Sequence, residues 1–199
     1  MTDLPAPDPV READHRDVLG HFASGVVVVT AAGPDGPLGL TCQSFVSLSL
    51  EPPLVSFAPA RTSRTWPLIR ASGVFCVNVL AEDQEEVSSA FARSGGDKFR
   101  GIQWDPGHDG APLLTGACAW ISCALIHEYD GGDHTLAVGR VTALRAQPSR
   151  EPLIFHRGRY RSLARATRIR PERPGSRDTA NARRSDGPGQ PPNFLSLLL

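Results

Sequence analysis

The sequence predicts a mainly β fold, a β-barrel with a few helices, and three stretches carry that expectation. Val26 to Thr30 is an unbroken run of five β-branched residues, whose stiff χ1 angles suit a pleated, buried strand. Ala117 to Tyr129 and Thr135 to Arg145 are two long strand-like runs joined by Asp130-Gly131-Gly132-Asp133-His134; glycines in so short a link serve a hairpin tip that needs positive φ. Gly39 to Pro53, GLTCQSFVSLSLEPP, reads as one long strand. Leu40, Cys42, Val46, Leu48 and Leu50 fall on one side of it, interrupted by Ser44, while Thr41, Gln43, Ser47 and Ser49 share the other with Phe45. That second side is almost wholly hydroxyl and amide. It suits either a flat, hydrogen-bonding ligand or, more plainly, half-exposure of a strand rich in Ser and Thr.

The remaining elements follow in chain order. Residues 1–8 are rich in Pro and Asp and are expected to be loose. Asp8-Pro9 has the form of a helix start, and Val18, Leu19 and Phe22 give that helix an apolar stripe running up to Gly25. The turn at Pro34-Asp35-Gly36 folds the valine strand onto the Gly39–Pro53 strand as a hairpin. Leu54 to Phe57 is a short strand, followed by Arg61-Thr62-Ser63-Arg64-Thr65 just ahead of a helix from Trp66 to Ala71 closed by Gly73. Guanidinium and hydroxyl groups beside a helix start hold anions well, so this bend is either a phosphate cradle or an exposed loop with a capping hydroxyl. Val74 to Leu80 is a strand and Glu82 to Arg93 a helix with Val87, Ala90 and Phe91 inward. The stretch from Asp97 through Trp104 is a loop that either folds over a ligand or rests on the barrel. Leu153 to Phe155 is a last strand, with a tight turn at Arg157-Gly158-Arg159-Tyr160.

A chain of 199 residues holds one domain with a real core. The expected division is a loose start (1–8), a folded body (9–165) and a tail (166–199) whose Arg, Pro, Gly and Ser content predicts disorder up to an apolar end, Phe194–Leu199. Formal charge is balanced overall, yet the tail holds six Arg against three acids, leaving 15 basic and 18 acidic residues before it. A mildly acidic body argues against nucleic-acid binding, and the interspersed acids of the tail argue the same way. Cys42, Cys76, Cys118 and Cys123 match neither a zinc ligand set nor a redox CxxC pair and read as free thiols in a reducing compartment. No stretch reaches the roughly 18 apolar residues of a membrane span and the N-terminus has no leader pattern, so the expected location is cytoplasmic.

Taken in order, FASGVVVVTA, GLTCQSFVSLSLEPPLVSF, RTSRTWP, FCVNVL, FAR followed by DKF, GGDHTLAVGRV and RGRYRSL resemble the flavin reductase-like family. These are small reductase partners of two-component flavin-dependent monooxygenases, with a split β-barrel of the FMN-binding type. The likeness runs from about Val18 to Leu163, and several ordered motifs make it specific. It implies that Thr41, Cys42, Gln43 and Ser44 lie along the isoalloxazine, bonding its polar edge largely through backbone groups. It implies that Arg61, Ser63 and Thr65 hold the flavin phosphate, that Lys98 and Phe99 lie near the flavin, and that Tyr160 is the C-terminal aromatic close to the site. His134 matches the histidine of the family's Gly-Asp-His turn, placed near the nicotinamide. The family typically has Asn or Ser where Gln43 stands and often Ala where Cys42 stands, which bears on flavin preference. The implied cofactors are FMN or FAD with NADH or NADPH as hydride donor; the implied partners are a flavin-dependent monooxygenase component and a second copy in a homodimer.

The chemistry so implied is hydride transfer from nicotinamide C4 to flavin N5, for which the protein mainly aligns two rings. His134 is the residue expected to position the nicotinamide. No GxGxxG follows a strand, so the dinucleotide is expected in an open groove rather than a Rossmann site. The alternative is a split-barrel protein that binds flavin without turning it over. A pyridoxamine phosphate oxidase in a related barrel is disfavoured, because the sequence shows no surplus basic cluster for a second phosphate in the folded part.

Overall fold

The computed structural model describes residues 10–163; the loose start, the Asp8-Pro9 helix start and the tail lie outside the described residues. The chain runs α1 (Glu12–Leu19), β1 (Ser24–Gly25), β2 (Val27–Gly33), β3 (Gly36–Cys42), β4 (Val46–Leu50), β5 (Pro53–Phe57), α2 (Trp66–Ser72), β6 (Val74–Val79), α3 (Glu85–Ala92), β7 (Trp104–Pro106), β8 (Pro112–Leu114), β9 (Ala119–Gly131), β10 (His134–Ala146), β11 (Ile154–His156) and β12 (Arg159–Arg161). Seven strands form one antiparallel sheet in the order β3-β2-β6-β9-β10-β5-β4. Its two edges, β3 and β4, are joined by only Gln43, Ser44 and Phe45. Four Cα steps span at most about 14 Å, whereas the edges of a flat seven-stranded sheet stand about 29 Å apart. The sheet must therefore curl into a barrel with an open seam between β3 and β4.

The valine run follows from this architecture. Val27 and Val29 pack inside the barrel with Phe57, Phe75 and Ile121, while Val26 and Val28 face a second cluster with Leu80, Phe91, Leu114 and Leu153. Both faces are covered, so the strand reads as continuous apolar sequence. Phe57 meets Trp66 and Phe75 edge-on, each at 5.3 Å between centroids. At Gly139 the backbone runs against Phe75, and a Cβ there would lie 2.5 Å from the ring. The expected hairpins form: β2 with β3, and β9 with β10 around Gly132 at φ 77. A small sheet β1-β11-β12 and a β7-β8 hairpin complete the fold. The buried Asn78 pins that hairpin: its amide accepts from Leu114 N–H at 2.7 Å and donates to Val28 O and Thr30 Oγ1. Among the described residues no helix is long and apolar enough to cross a membrane.

Two expectations fail here. Gly39–Pro53 is two strands rather than one, because the ladder stops at Cys42 and resumes at Val46. Ser44 instead bonds the residue after β5, accepting from Ala58 N–H at 2.8 Å. Val46 and Leu50 are consequently half-exposed, at 52% and 56%, on an edge strand rather than in the core. The N-terminal helix ends at Leu19, and no residue of it is buried; its apolar stripe at Val18, Leu19 and Phe22 stays open to solvent. What ties this region down is backbone, Arg157 N–H donating to Gly20 O. The loop holding Trp104 rests on the body, with Trp104 against Phe99 and β7 paired to β8.

Candidate functional site

Four segments surround a cavity of about 750 Å³ at the seam of the barrel. One wall is Leu40 to Ser44, the end of β3 and the link to β4. Cys42 is buried with its Sγ 3.0 Å from Ser44 Oγ, and Ser44 is braced on Ala58. Thr41 turns its hydroxyl away to Ser88 O of α3 at 2.7 Å. Gln43 is exposed at the cavity. This wall therefore offers backbone and uncharged groups.

The second wall is the bend from Ala58 to Thr65. Ser63 Oγ accepts from the N–H of Trp66, the first residue of α2, at 3.1 Å. Thr65 Oγ1 lies 3.4 Å from Lys98 Nζ, which also donates to Phe91 O at 3.1 Å and Gly39 O at 3.2 Å. Burial holds the Lys98 ammonium below the ordinary lysine pKa. Arg64 lines the cavity beside it, and the end of α3 contributes Phe91, Arg93 and Ser94. No Asp or Glu lines the cavity, although the body as a whole is mildly acidic.

The remaining wall is the tip of the β9–β10 hairpin, with Gly131 and His134. The tip is docked on the bend: Ala60 bridges His134, Arg61 N–H donates to Asp133 O, and Thr135 N–H to Pro59 O. His134 Nδ1 lies 2.7 Å from Asp133 Oδ1, and that contact holds the Asp133 carboxyl below its usual range. Asp130 is lowered first by the Gly132 N–H and then by Arg61.

The structure thus gathers Thr41, Cys42, Gln43, Ser44, Ser63, Thr65, Lys98 and His134 around one cavity. Arg61 does not line it; its guanidinium pairs with Asp130 at 2.7 Å. Phe99 and Tyr160 stand behind the wall. Phe99 meets Phe91 edge-on at 4.8 Å, and Tyr160 donates to Ser88 Oγ at 2.9 Å, the residue that also receives Thr41. Sequence reasoning counted Arg64 as one guanidinium of the candidate cradle and missed Arg93 as a lining cation. Both stood in motifs of the resemblance, RTSRTWP and FAR, but only the fold brings those motifs together. An uncharged rim with exposed backbone at one part and hydroxyls with cations at another is a donor set that fits a flavin ring and its phosphate.

Residues 19–164 match the family model described as the flavin reductase like domain. The chain is 49% identical over 148 residues to the reductase subunit HsaB of a flavin-dependent monooxygenase from Rhodococcus jostii (strain RHA1), covering 74% of this chain and 76% of that protein. It is 43% identical to a flavin reductase of Pseudomonas putida, over 75% of this chain and 88% of that one. Among solved structures, nitrilotriacetate monooxygenase component B from Mycobacterium thermoresistibile superposes with a TM-score of 0.76 at 41% identity, covering 88% of this chain and 93% of that one. The NADH:FAD oxidoreductase SgcE6 of Streptomyces globisporus, in complex with NAD and FAD fragments, superposes with a TM-score of 0.77 at 38% identity, covering 82% and 99%. With a split-barrel fold and matches of this extent, the chain belongs to the flavin reductase-like family.

Proposed function

We propose that this chain is an NAD(P)H-dependent flavin reductase that reduces FMN or FAD in the seam cavity and supplies reduced flavin to a partner monooxygenase. The observation that supports it best is the convergence of the uncharged 41–44 wall, the hydroxyl and lysine group at Ser63, Thr65 and Lys98, and His134 on one cavity. Bound flavin would accept at N5 the hydride given by nicotinamide C4. The backbone of residues 41–44 would orient the ring, and Ser44, braced on Ala58, would keep that wall in place. Thr65 and Lys98 would hold the phosphate, adding charge-assisted bonds where burial strengthens them. His134, steadied by Asp133, would position the nicotinamide without having to move a proton.

The relative named as the reductase subunit of a flavin-dependent monooxygenase supports a separate monooxygenase as recipient. The edge strand β4, with Val46, Leu48 and Leu50 open to solvent, supports a homodimer, and a monomer mass by light scattering would overturn that. The four free thiols support a cytoplasmic setting. Adding NADH or NADPH to the protein with oxidised flavin under argon tests the activity. Loss of the visible flavin absorbance is expected. Flavin that binds yet stays oxidised with both nicotinamides would make this a binding protein instead.

A further inference from the structure

Helix α3 packs on β3, the strand whose end forms the uncharged wall of the cavity. The two are joined at polar points that fall in step. Gly39 and Thr41 are two residues apart on β3 and share a face; Ser88 and Phe91 are three apart on α3 and share a side of the helix. Lys98 Nζ bridges the first pair, donating to Gly39 O at 3.2 Å and to Phe91 O at 3.1 Å. The second join is direct, Thr41 Oγ1 donating to Ser88 O at 2.7 Å. It lies at the threshold of the wall, since Thr41 runs straight into Cys42, Gln43 and Ser44.

Ser88 is 1% exposed and serves two neighbours at once. Its carbonyl holds Thr41, and its hydroxyl accepts from Tyr160 OH at 2.9 Å. Tyr160 belongs to β12, where it pairs with Phe155 of β11 and meets that ring edge-on at 5.4 Å. It does not line the cavity, so it reaches the wall only through Ser88. A hydroxyl left without a partner in so dry a place costs more than the bond alone, and the contact therefore fixes where α3 sits. We infer that Ser88 is a positioning residue: clamped between Tyr160 and Thr41, it sets the place of the 41–44 backbone and with it the alignment of the flavin ring towards the hydride donor. The inference rests on the flavin reductase reading and deepens it. Neither hydroxyl has to give up a proton in this role.

The test uses the full chain, unmodified and as Ser88→Ala, Tyr160→Phe, the Ser88→Ala/Tyr160→Phe double variant and Asn78→Ala, at a temperature where circular dichroism shows each of them folded. Flavin affinity is titrated by fluorescence. The single-turnover rate of flavin bleaching is followed without oxygen at saturating concentrations of the flavin and the nicotinamide that the unmodified chain turns over fastest. A misplacement of about 1 Å can cost on the order of a hundredfold in rate. Ser88→Ala and Tyr160→Phe are each expected to slow bleaching about fivefold or more while the flavin dissociation constant stays within about twofold. The double variant is expected to be no slower than the slower single one, because both substitutions remove the same bond. Asn78→Ala, which loosens the β7–β8 hairpin instead, is expected to keep the unmodified rate. Losses that multiply in the double variant, an unchanged rate in both single ones, or Asn78→Ala slowed as much as Ser88→Ala, overturns the inference. An unmodified chain that leaves bound flavin oxidised would defeat the functional reading itself, a different result.

Discussion

Replacing Lys98 with Met tests the phosphate end of the site most sharply. Its ammonium sits half-buried between Gly39 O, Phe91 O and Thr65 Oγ1 with no carboxylate among the cavity residues. A phosphate reaching Thr65 would gain a hydrogen bond to a charged donor, worth about 1.5–3 kcal/mol, which is roughly a 10- to 150-fold change in affinity. Lys98→Met is therefore expected to weaken FMN by at least tenfold in a fluorescence titration at neutral pH, and to change riboflavin, which lacks the phosphate, by less than twofold. The pH dependence has a definite sign. Burial lowers the Lys98 pKa from 10.5, so in the folded chain the proton leaves earlier than from an unfolded one. Between the lowered value and 10.5 the unfolded chain binds more protons, and the stability deficit from this buried charge is relieved as pH rises through that window. Phosphate binding acts in the opposite direction, because an anion favours the ammonium. FMN affinity should fall as pH rises through the Lys98 value of the free protein, while the riboflavin curve shows only the loss of the ring proton common to both flavins. An FMN-to-riboflavin affinity ratio that stays flat with pH, or an equal loss of both ligands in Lys98→Met, would refute the assignment.

Three further outcomes follow from the same geometry. His134→Ala should raise the KM for NADH by about tenfold, the worth of one good polar contact, and leave flavin affinity within about twofold; equal damage to both would defeat its role at the nicotinamide. Gly39→Ala would drive a Cβ into the Phe91 ring, and overpacking of this kind costs about 1–3 kcal/mol. A lower urea midpoint should come with weaker flavin binding, because Phe91 also lines the cavity; unchanged binding would mean the ring yields away from it. Asn78→Ala strips the buried Leu114 N–H of its acceptor, at about 2–4 kcal/mol, so the thermal midpoint should drop without loss of flavin affinity in the folded fraction. A shift worth under about 1 kcal/mol would show that the β7–β8 hairpin does not depend on it.

What the sequence made legible was local. The valine run, the hairpin at Gly132 and the helix closed by Gly73 each carry their own chemistry: β-branching, a required positive φ, a left-handed cap at φ 72. The two misread stretches failed because alternation shows which residues share a face and not whether that face is covered. Val46, Leu48 and Leu50 alternate as a core strand would, yet β4 is the edge of the sheet. Val18 and Leu19 likewise form an apolar stripe on α1 that no described residue buries. At the site, the residues of one segment, Thr41 to Ser44, were readable together. The placing of Arg64 and Arg93 on one cavity was not, since α2, β6 and α3 separate them in sequence. Arg61 shows the converse: adjacent to the cradle in sequence, it is drawn off by Asp130 from a hairpin some seventy residues on.

The location of the cavity follows from the topology rather than from any single residue. Seven strands whose end strands are linked by three residues close everywhere except along the β3–β4 edge. Gln43, Ser44 and Phe45 pair with neither ladder, and backbone polar groups left out of a ladder need another partner. Ser44 answers part of that need by bonding Ala58, and in doing so draws the start of the 58–65 bend to the seam. The same bend docks the hairpin tip through Ala60 and Arg61, which brings His134 to the opening. One unpaired edge thus accounts for why the 41–44 backbone, the hydroxyl and lysine group and the histidine share a cavity. A chain in which Ser44→Ala loosens the 43–45 link should lose alignment of both ligands at once, lowering kcat more than either binding constant, because the two rings would no longer be held by the same wall.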